Sequence, residues 1–233
     1  MNQTTTNIFP DIMIFDDICD EQLLDEVYKV HTESGENNTI YYPFIDKRRS
    51  MESDNKFYDS AMKLINHVWG DVLAHLLPEV HAGYEAWTNI LGLGGGVDAH
   101  MDCDERIYDG MREWVLPSWG STIYAGPKGM GGIKEGGELH YNAGLRRLLV
   151  YTPANFQKII QSPDPMLDKP TVIPFRYNRV VVFKQGPHWV SPVKALHNTD
   201  SPRVAVNCSV WDHTIEPMSR KEREGEDFDE FEI

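Results

Sequence analysis

Asn178-Arg-Val-Val-Val-Phe-Lys-Gln-Gly-Pro-His188-Trp-Val-Ser-Pro-Val193, followed after a polar loop by Pro202-Arg-Val-Ala-Val-Asn-Cys-Ser-Val-Trp211, is the stretch on which the fold turns. Two runs rich in β-branched residues and bounded by Asn, Gly and Pro read as strands on either side of a turn. The first strand delivers His188 at its end. The second begins at Arg203, fifteen residues later, and strand alternation sets Arg203, Ala205, Asn207, Ser209 and Trp211 on one face. An arginine leading a strand of this apolar character is expected to be buried, and a buried guanidinium needs an anion.

Working outward, the segment His100-Met101-Asp102 follows a glycine-rich approach, Leu91-Gly-Leu-Gly-Gly-Gly-Val-Asp98. On an extended strand, residues two apart project from the same face, so His100 and Asp102 are placed to reach one ion together. A third ligand must come from elsewhere, and His188 is the isolated histidine with the right strand context. Two imidazoles and one carboxylate on one side of an ion leave the opposite positions open, the arrangement expected of non-haem Fe(II) oxygenases. His140, His197 and His213 are the rival third ligands, with His140 the main substitute. His197 and His213 lack the strand setting of His188.

The rest of the chain reads as a β core with helical support. Residues 8–15 are expected to form a strand, and Asp20 to cap a helix carrying Leu23, Leu24, Val27 and Val30 on one face. A second helix is expected from about Asn55 to Leu77, interrupted near Gly70 and ended by Pro78. After Gly83 the pattern shortens into strands: Tyr84 to Leu91, the metal strand, Ser121 to Tyr124, Glu138 to Tyr141, Arg147 to Tyr151, and the final pair. Short strands punctuated by Gly and Pro indicate a sandwich or barrel. The fold class is therefore mainly β with supporting α-helices. One domain is expected over 1–215, with helical support over about 17–78 and the β core over about 83–213. The tail from Glu216 to Ile233 holds eight acids and three bases, and is expected to be solvated and disordered.

On these residues the chain resembles the 2-oxoglutarate and Fe(II)-dependent oxygenases, in particular the prolyl-4-hydroxylase-like branch. The resemblance covers roughly residues 8–213. It rests on His100-x-Asp102, Gly136-Gly137-Glu138-Leu139, the Asn178-Arg179 turn, His188-x-Val-x-Pro-Val and Arg203, in that order. It implies a double-stranded β-helix (jelly-roll) core, with helices packed on one of two facing sheets. It also implies that His100, Asp102 and His188 bind iron, that Arg203 pairs with the distal carboxylate of 2-oxoglutarate, and that Leu139 and Val190 line the co-substrate pocket. Asn89 and Tyr124, on strands near the metal, are expected to orient 2-oxoglutarate or substrate, as is Trp87. The insertion after the metal strand carries Asp104, Glu105, Arg112, Trp114 and Trp119. Its acids and tryptophans are expected to contact substrate, and Arg112 and Trp211 are assigned there too. The gap from His188 to Arg203 is longer than the commonest prolyl-hydroxylase spacing, which bears on the branch rather than on the metal site.

The implied activity is hydroxylation of an unactivated C–H bond with Fe(II), 2-oxoglutarate and O2, releasing succinate and CO2, with ascorbate as an accessory reductant. A prolyl residue of a protein or peptide leads as substrate, with a free amino acid or other small molecule close behind. A cupin-type dioxygenase independent of 2-oxoglutarate, and a non-catalytic binding module, are the alternatives. Arg203 speaks against the first and the complete ligand triad against the second.

Composition narrows the partners. Lys+Arg number 22 against 36 Asp+Glu, a formal charge of -14, which disfavours a nucleic-acid partner because that affinity comes from cationic neutralisation. No run of eighteen apolar residues occurs, so no membrane span is expected. Cys19, Cys103 and Cys208 form neither a disulfide framework nor a zinc pattern, and fit a reducing cytoplasm. Cys103, beside Asp102 on the expected strand, is expected to point away from the metal. Gly92-Leu-Gly-Gly-Gly-Val and Gly126-Pro-Lys-Gly-Met-Gly-Gly lack the spacing of nucleotide-binding loops and read as turns. Nothing in the sequence specifies an oligomeric state.

Overall fold

The computed structural model describes residues 5–9, 11–33, 39–42, 45–46, 55–77, 81–104, 115–128, 133–142, 169–196 and 201–215. In chain order the elements are β1 (Thr5–Phe9), β2 (Ile12–Asp16), α1 (Glu21–Glu33), β3 (Thr39–Tyr41), β4 (Ile45–Asp46) and α2 (Lys56–Ile65). There follow β5 (Gly83–Leu91), β6 (Val97–His100), β7 (Trp119–Gly126), β8 (Ile133–Glu135) and β9 (Leu139–Tyr141). The last are β10 (Thr171–Ile173), β11 (Arg179–Phe183), β12 (His188–Val190), β13 (Ala195–Leu196) and β14 (Arg203–Trp211). A major sheet runs β1-β2-β11-β7-β14-β5-β3, with β4 also on β5, and a minor sheet runs β10-β9-β12-β6. Their strand pairings are antiparallel throughout.

The major sheet is covered on both faces, which is why its central strands read as continuous apolar runs. On β14, Val204, Val206, Cys208 and Val210 join Leu24 and Val27 of α1 and Leu64 and Ile65 of α2 in one core. Alternation turns Ala205 of β14, with Val181 and Phe183 of β11, to the other side. There they pack with Leu139, Tyr141, Ile173 and Val190 of the minor sheet. The result is a jelly-roll core of two facing sheets with both helices behind the larger one.

Several elements differ from the sequence expectation. The strand expected over 8–15 is a hairpin of β1 and β2, with Phe9 opposite Ile12. α1 is capped as expected, Asp20 Oδ1 accepting from the amides of Gln22 and Leu23, but its buried positions are Leu24, Val27 and His31, with Val30 only half-buried. His31 escapes a hydrophobic-pattern reading because it is buried through hydrogen bonds. Its Nδ1–H donates to Val27 O, its Nε2 accepts from Tyr42 Oη, and Tyr42 in turn accepts from Thr88 Oγ1. Beyond α2 the helix does not break at Gly70. It widens into a π-helical segment, Asn66–Val72, closed by Leu73 N–H donating to Val68 O, and ends in a 3-10 turn at Ala74–Leu76. The wider turn lets the consecutive residues Val68 and Trp69 both bury, and Trp69 Nε1 reaches Ser121 Oγ at 3.0 Å. The strand expected over Arg147 to Tyr151 and the tail from Glu216 lie outside the described residues.

Candidate metal centre

His188 does not end the Val-Val-Val-Phe strand. Residues 184–187 carry the chain from β11 in the major sheet to β12 in the minor one, and His188 is the first residue of β12. There it pairs directly across from His100, the last residue of β6. Facing positions on antiparallel strands are close neighbours, so register alone joins two histidines 88 residues apart, with ring centroids 4.3 Å apart. The metal strand also ends sooner than expected: β6 stops at His100, and Asp102 sits in the irregular segment beyond it. Strand alternation therefore does not reach Cys103, which lines the same cleft as His100 and Asp102.

One ligand atom from each of His100, Asp102 and His188 lies within 4.8 Å of the others. His100 Nδ1–H donates to Asp98 O at 2.7 Å and His188 Nδ1–H donates to Gly186 O at 2.9 Å. Both bonds set the tautomer, leaving each Nε2 lone pair available to a metal. Burial, reinforced by the neighbouring His100, pushes the His188 imidazole down to about 4. It is therefore neutral and a competent ligand at neutral pH. Asp102 Oδ2 accepts from Gln185 Nε2 and Ser209 Oγ, while Oδ1 lies 3.6 Å from His100 Nε2.

Arg203 is wholly buried, and none of its three guanidinium nitrogens has a partner among the described residues. Its Cζ stands 4.9 Å from the Tyr124 ring centroid, and the buried Tyr124 hydroxyl is likewise without a partner among those residues. Gly137 lies beside the arginine stem, and a Cβ there would crowd Ile133 Cδ1 at 2.8 Å and Val193 Cγ2 at 3.3 Å while only touching Arg203 Cδ at 3.5 Å. Gly136 and Gly137 both hold positive φ, 84° and 72°, so the lead-in to β9 favours glycine at both positions. A buried guanidinium with a buried hydroxyl beside it has the chemistry to hold a carboxylate.

Leu139 and Val190 are register partners and pack in the same cluster as Tyr124. Asn89 is buried, accepts from Thr39 Oγ1 at 2.8 Å, and lines a cleft of about 350 Å³ beside the metal ligands. Trp87, Tyr41 and Glu85 line it as well, with the Trp87 and Tyr41 rings 6.4 Å apart. Asp104 is buried, its Oδ2 3.4 Å from His213 Nε2, and Trp211 is fully buried with its ring edge-on to His213. Neither Asp104 nor Trp211 lines the cleft. Trp119 is half-buried against the helix-side core, and Glu105, Arg112, Trp114 and His197 lie outside the described residues. His140 stacks on Trp189 at 5.1 Å and is not in the triad.

Sequence reading did not single out Gln185, Tyr41 or Glu85 for the site. The period-two face from Arg203 already contained Ser209, but a lone glutamine in a crossover carries no periodic signal.

No family model and no curated protein matches the chain. Solved structures do. Iron-bound HygX from Streptomyces hygroscopicus aligns with a TM-score of 0.50 at 9% identity, over 86% of this chain and 82% of that one. A 2OG-Fe(II) oxygenase family oxidoreductase from Burkholderia pseudomallei gives 0.43 at 12%, over 92% and 74%. The viral collagen prolyl hydroxylase of Paramecium Bursaria Chlorella virus-1, in its 2OG complex, gives 0.48 at 13%, over 87% and 96%. At these identities the likeness to HygX shows the fold alone, a jelly-roll, in which this chain brings a His-Asp-His group to metal-binding distance.

Proposed function

We propose that the protein is an Fe(II)- and 2-oxoglutarate-dependent hydroxylase. The observation that carries the reading is the buried Arg203, without a hydrogen-bond partner among the described residues, on a chain that also converges His100, Asp102 and His188. Iron, when bound by those three residues, would supply the redox chemistry that couples 2-oxoglutarate decarboxylation to C–H oxidation. Arg203 would hold the distal carboxylate of 2-oxoglutarate, with Tyr124 Oη beside it and Leu139 and Val190 forming apolar walls. The balance is 2-oxoglutarate, O2 and R–H giving succinate, CO2 and R–OH. Ascorbate would serve as an accessory reductant.

The cleft lined by Trp87 and Tyr41 is the natural place for substrate, and their rings offer a stacking face for a prolyl ring. A prolyl residue of a peptide or protein is the leading substrate, supported by the family resemblance. A free amino acid or small molecule is the alternative. Among the described residues no helix is long and apolar enough to cross a membrane. The three cysteines are free, which supports a reducing, cytoplasmic setting. The formal charge of -14 supports a partner other than nucleic acid. The test is incubation with Fe(II), 2-oxoglutarate and either proline-containing peptides or metabolite pools, with mass spectrometry for a gain of one oxygen atom. Product from peptides alone establishes the prolyl reading, product from metabolites alone replaces it, and no 2-oxoglutarate consumption with any pool overturns the enzyme class.

A further inference from the structure

Asp102 has two carboxylate oxygens, and its surroundings treat them differently. Oδ1 lies 3.6 Å from Nε2 of His100, a residue of the candidate ligand group. Oδ2 accepts from Gln185 Nε2 at 2.9 Å and from Ser209 Oγ at 3.0 Å. The protons have one consistent assignment. Ser209 has a single hydroxyl hydrogen, which goes to the carboxylate, so its lone pair faces the second Gln185 amide hydrogen at 3.5 Å. Gln185 must then present its NH2, and its Oε1 is left without a partner among the described residues. Both donors are buried, Gln185 at 1% and Ser209 at 0% exposure. They come from separate parts of the fold: Gln185 from the crossover three residues before His188, Ser209 from within β14. Both are neutral, so they orient the carboxylate without cancelling the charge a metal needs.

We propose that Gln185 and Ser209 are positioning residues that clamp Oδ2 of Asp102, so that the carboxylate engages iron through Oδ1 alone. The inference rests on the iron reading above. A carboxylate with both oxygens free can swing to take two coordination positions. With Oδ2 tied by two donors it takes one, and the open side of the two-His, one-carboxylate set stays available to 2-oxoglutarate and O2. The placement of Gln185 next to Gly186, whose carbonyl orients His188, means that one short segment sets two of the three ligands.

The test uses Co(II) alone, without 2-oxoglutarate, titrated into the full chain under anaerobic conditions and read by calorimetry and visible absorption. Ser209→Ala, and the double variant with Gln185→Leu, are expected to bind Co(II) about ten- to a hundredfold more weakly, the loss typical of removing groups that orient metal ligands. Their ligand-field bands should shift as the carboxylate changes its mode of binding, and a role in packing alone would leave those bands in place. Ser209→Thr, which keeps the hydroxyl, should recover most of the affinity and the wild-type bands. Wild-type affinity and bands in both Ser209→Ala and the double variant would overturn the clamp. A wild-type protein that binds no Co(II) would overturn the iron reading itself, so the two failures are told apart.

Discussion

At the scale of single residues the site is a problem of pairing. His188→Ala should abolish metal-dependent 2-oxoglutarate turnover, because no other described histidine shares a ligand set with His100 and Asp102. His140→Ala should retain it, since His140 stacks on Trp189 instead of joining the triad. Turnover assays on both variants, with circular dichroism to confirm folding, check the assignment, and the reverse pattern would refute it. Arg203→Ala should raise the 2-oxoglutarate requirement while leaving iron affinity nearly unchanged. Breaking one side of a buried charged pair costs roughly 3–5 kcal/mol, about two to four decades in affinity. Arg203→Lys should recover part of this, because an ammonium keeps the charge and loses the planar fork. Co-substrate titration by calorimetry is the measurement, and an unchanged affinity in the Ala variant would remove the basis for a 2-oxoglutarate site.

At the scale of elements, the N-terminal hairpin is fastened to β11 by charge as well as by backbone pairing. Asp16 on β2 is buried and accepts from Arg179 Nε at 2.7 Å and from Arg176 Nη1 at 2.7 Å. Burial opposes its ionisation, but the Arg179 hydrogen bond and charge, with Arg176 assisting, outweigh it and hold the carboxyl below its ordinary 3.8. A depressed carboxylate contributes stability that is complete above its unfolded value and is lost as pH falls through its folded one. Acid unfolding between about pH 5 and 2 should therefore remove less stability from Asp16→Asn than from the wild type, although the variant starts lower at neutral pH. Equal losses across that window would show that this pairing does not tie the hairpin. Asn178, at φ 58°, completes the join: its side chain bonds both the amide and the carbonyl of Cys19, and its backbone N–H reaches Tyr124 O. The same turn that starts β11 thus fastens the entrance to α1 and the strand carrying Tyr124.

At the scale of the whole molecule, two polar groups are held inside an apolar sandwich, the His100, Asp102 and His188 cluster and Arg203 with Tyr124. Arg203 is assembled with its neighbours only in the folded chain, so 2-oxoglutarate bound there should stabilise the fold by mass action. Fe(II) and 2-oxoglutarate, each at a hundredfold excess over its Kd, should add about 2.7 kcal/mol apiece and about 5.4 kcal/mol together, and a chain of this size should then melt roughly 11–22 °C higher. Differential scanning calorimetry under anaerobic conditions reads this directly. A chelator should reverse the gain, and no shift with both ligands present would contradict a resident metal and co-substrate.

What the amino-acid order determined by itself is what local physics encodes. Alternation along Arg203 to Trp211 and the apolar run at Val180 to Phe183 made both strands legible, as did the Asp20 cap of α1, because these depend on periods of two and on short-range hydrogen bonds. His100-x-Asp102 and His188 were legible as one group because few residue types can ligate a metal, and the burial of Arg203 was legible because it leads an apolar strand. Tertiary structure alone decided the rest. Register across the minor sheet sets His188 opposite His100, and the 184–187 crossover moves His188 into that sheet. Polar bonding buries His31 in a helix whose hydrophobic pattern favoured Val30, and packing lets a π-helical segment run through Gly70. Gln185 gains its role from two groups distant in the chain, Asp102 and Ser209, and no periodicity of the sequence could disclose a contact that exists only once two sheets face each other.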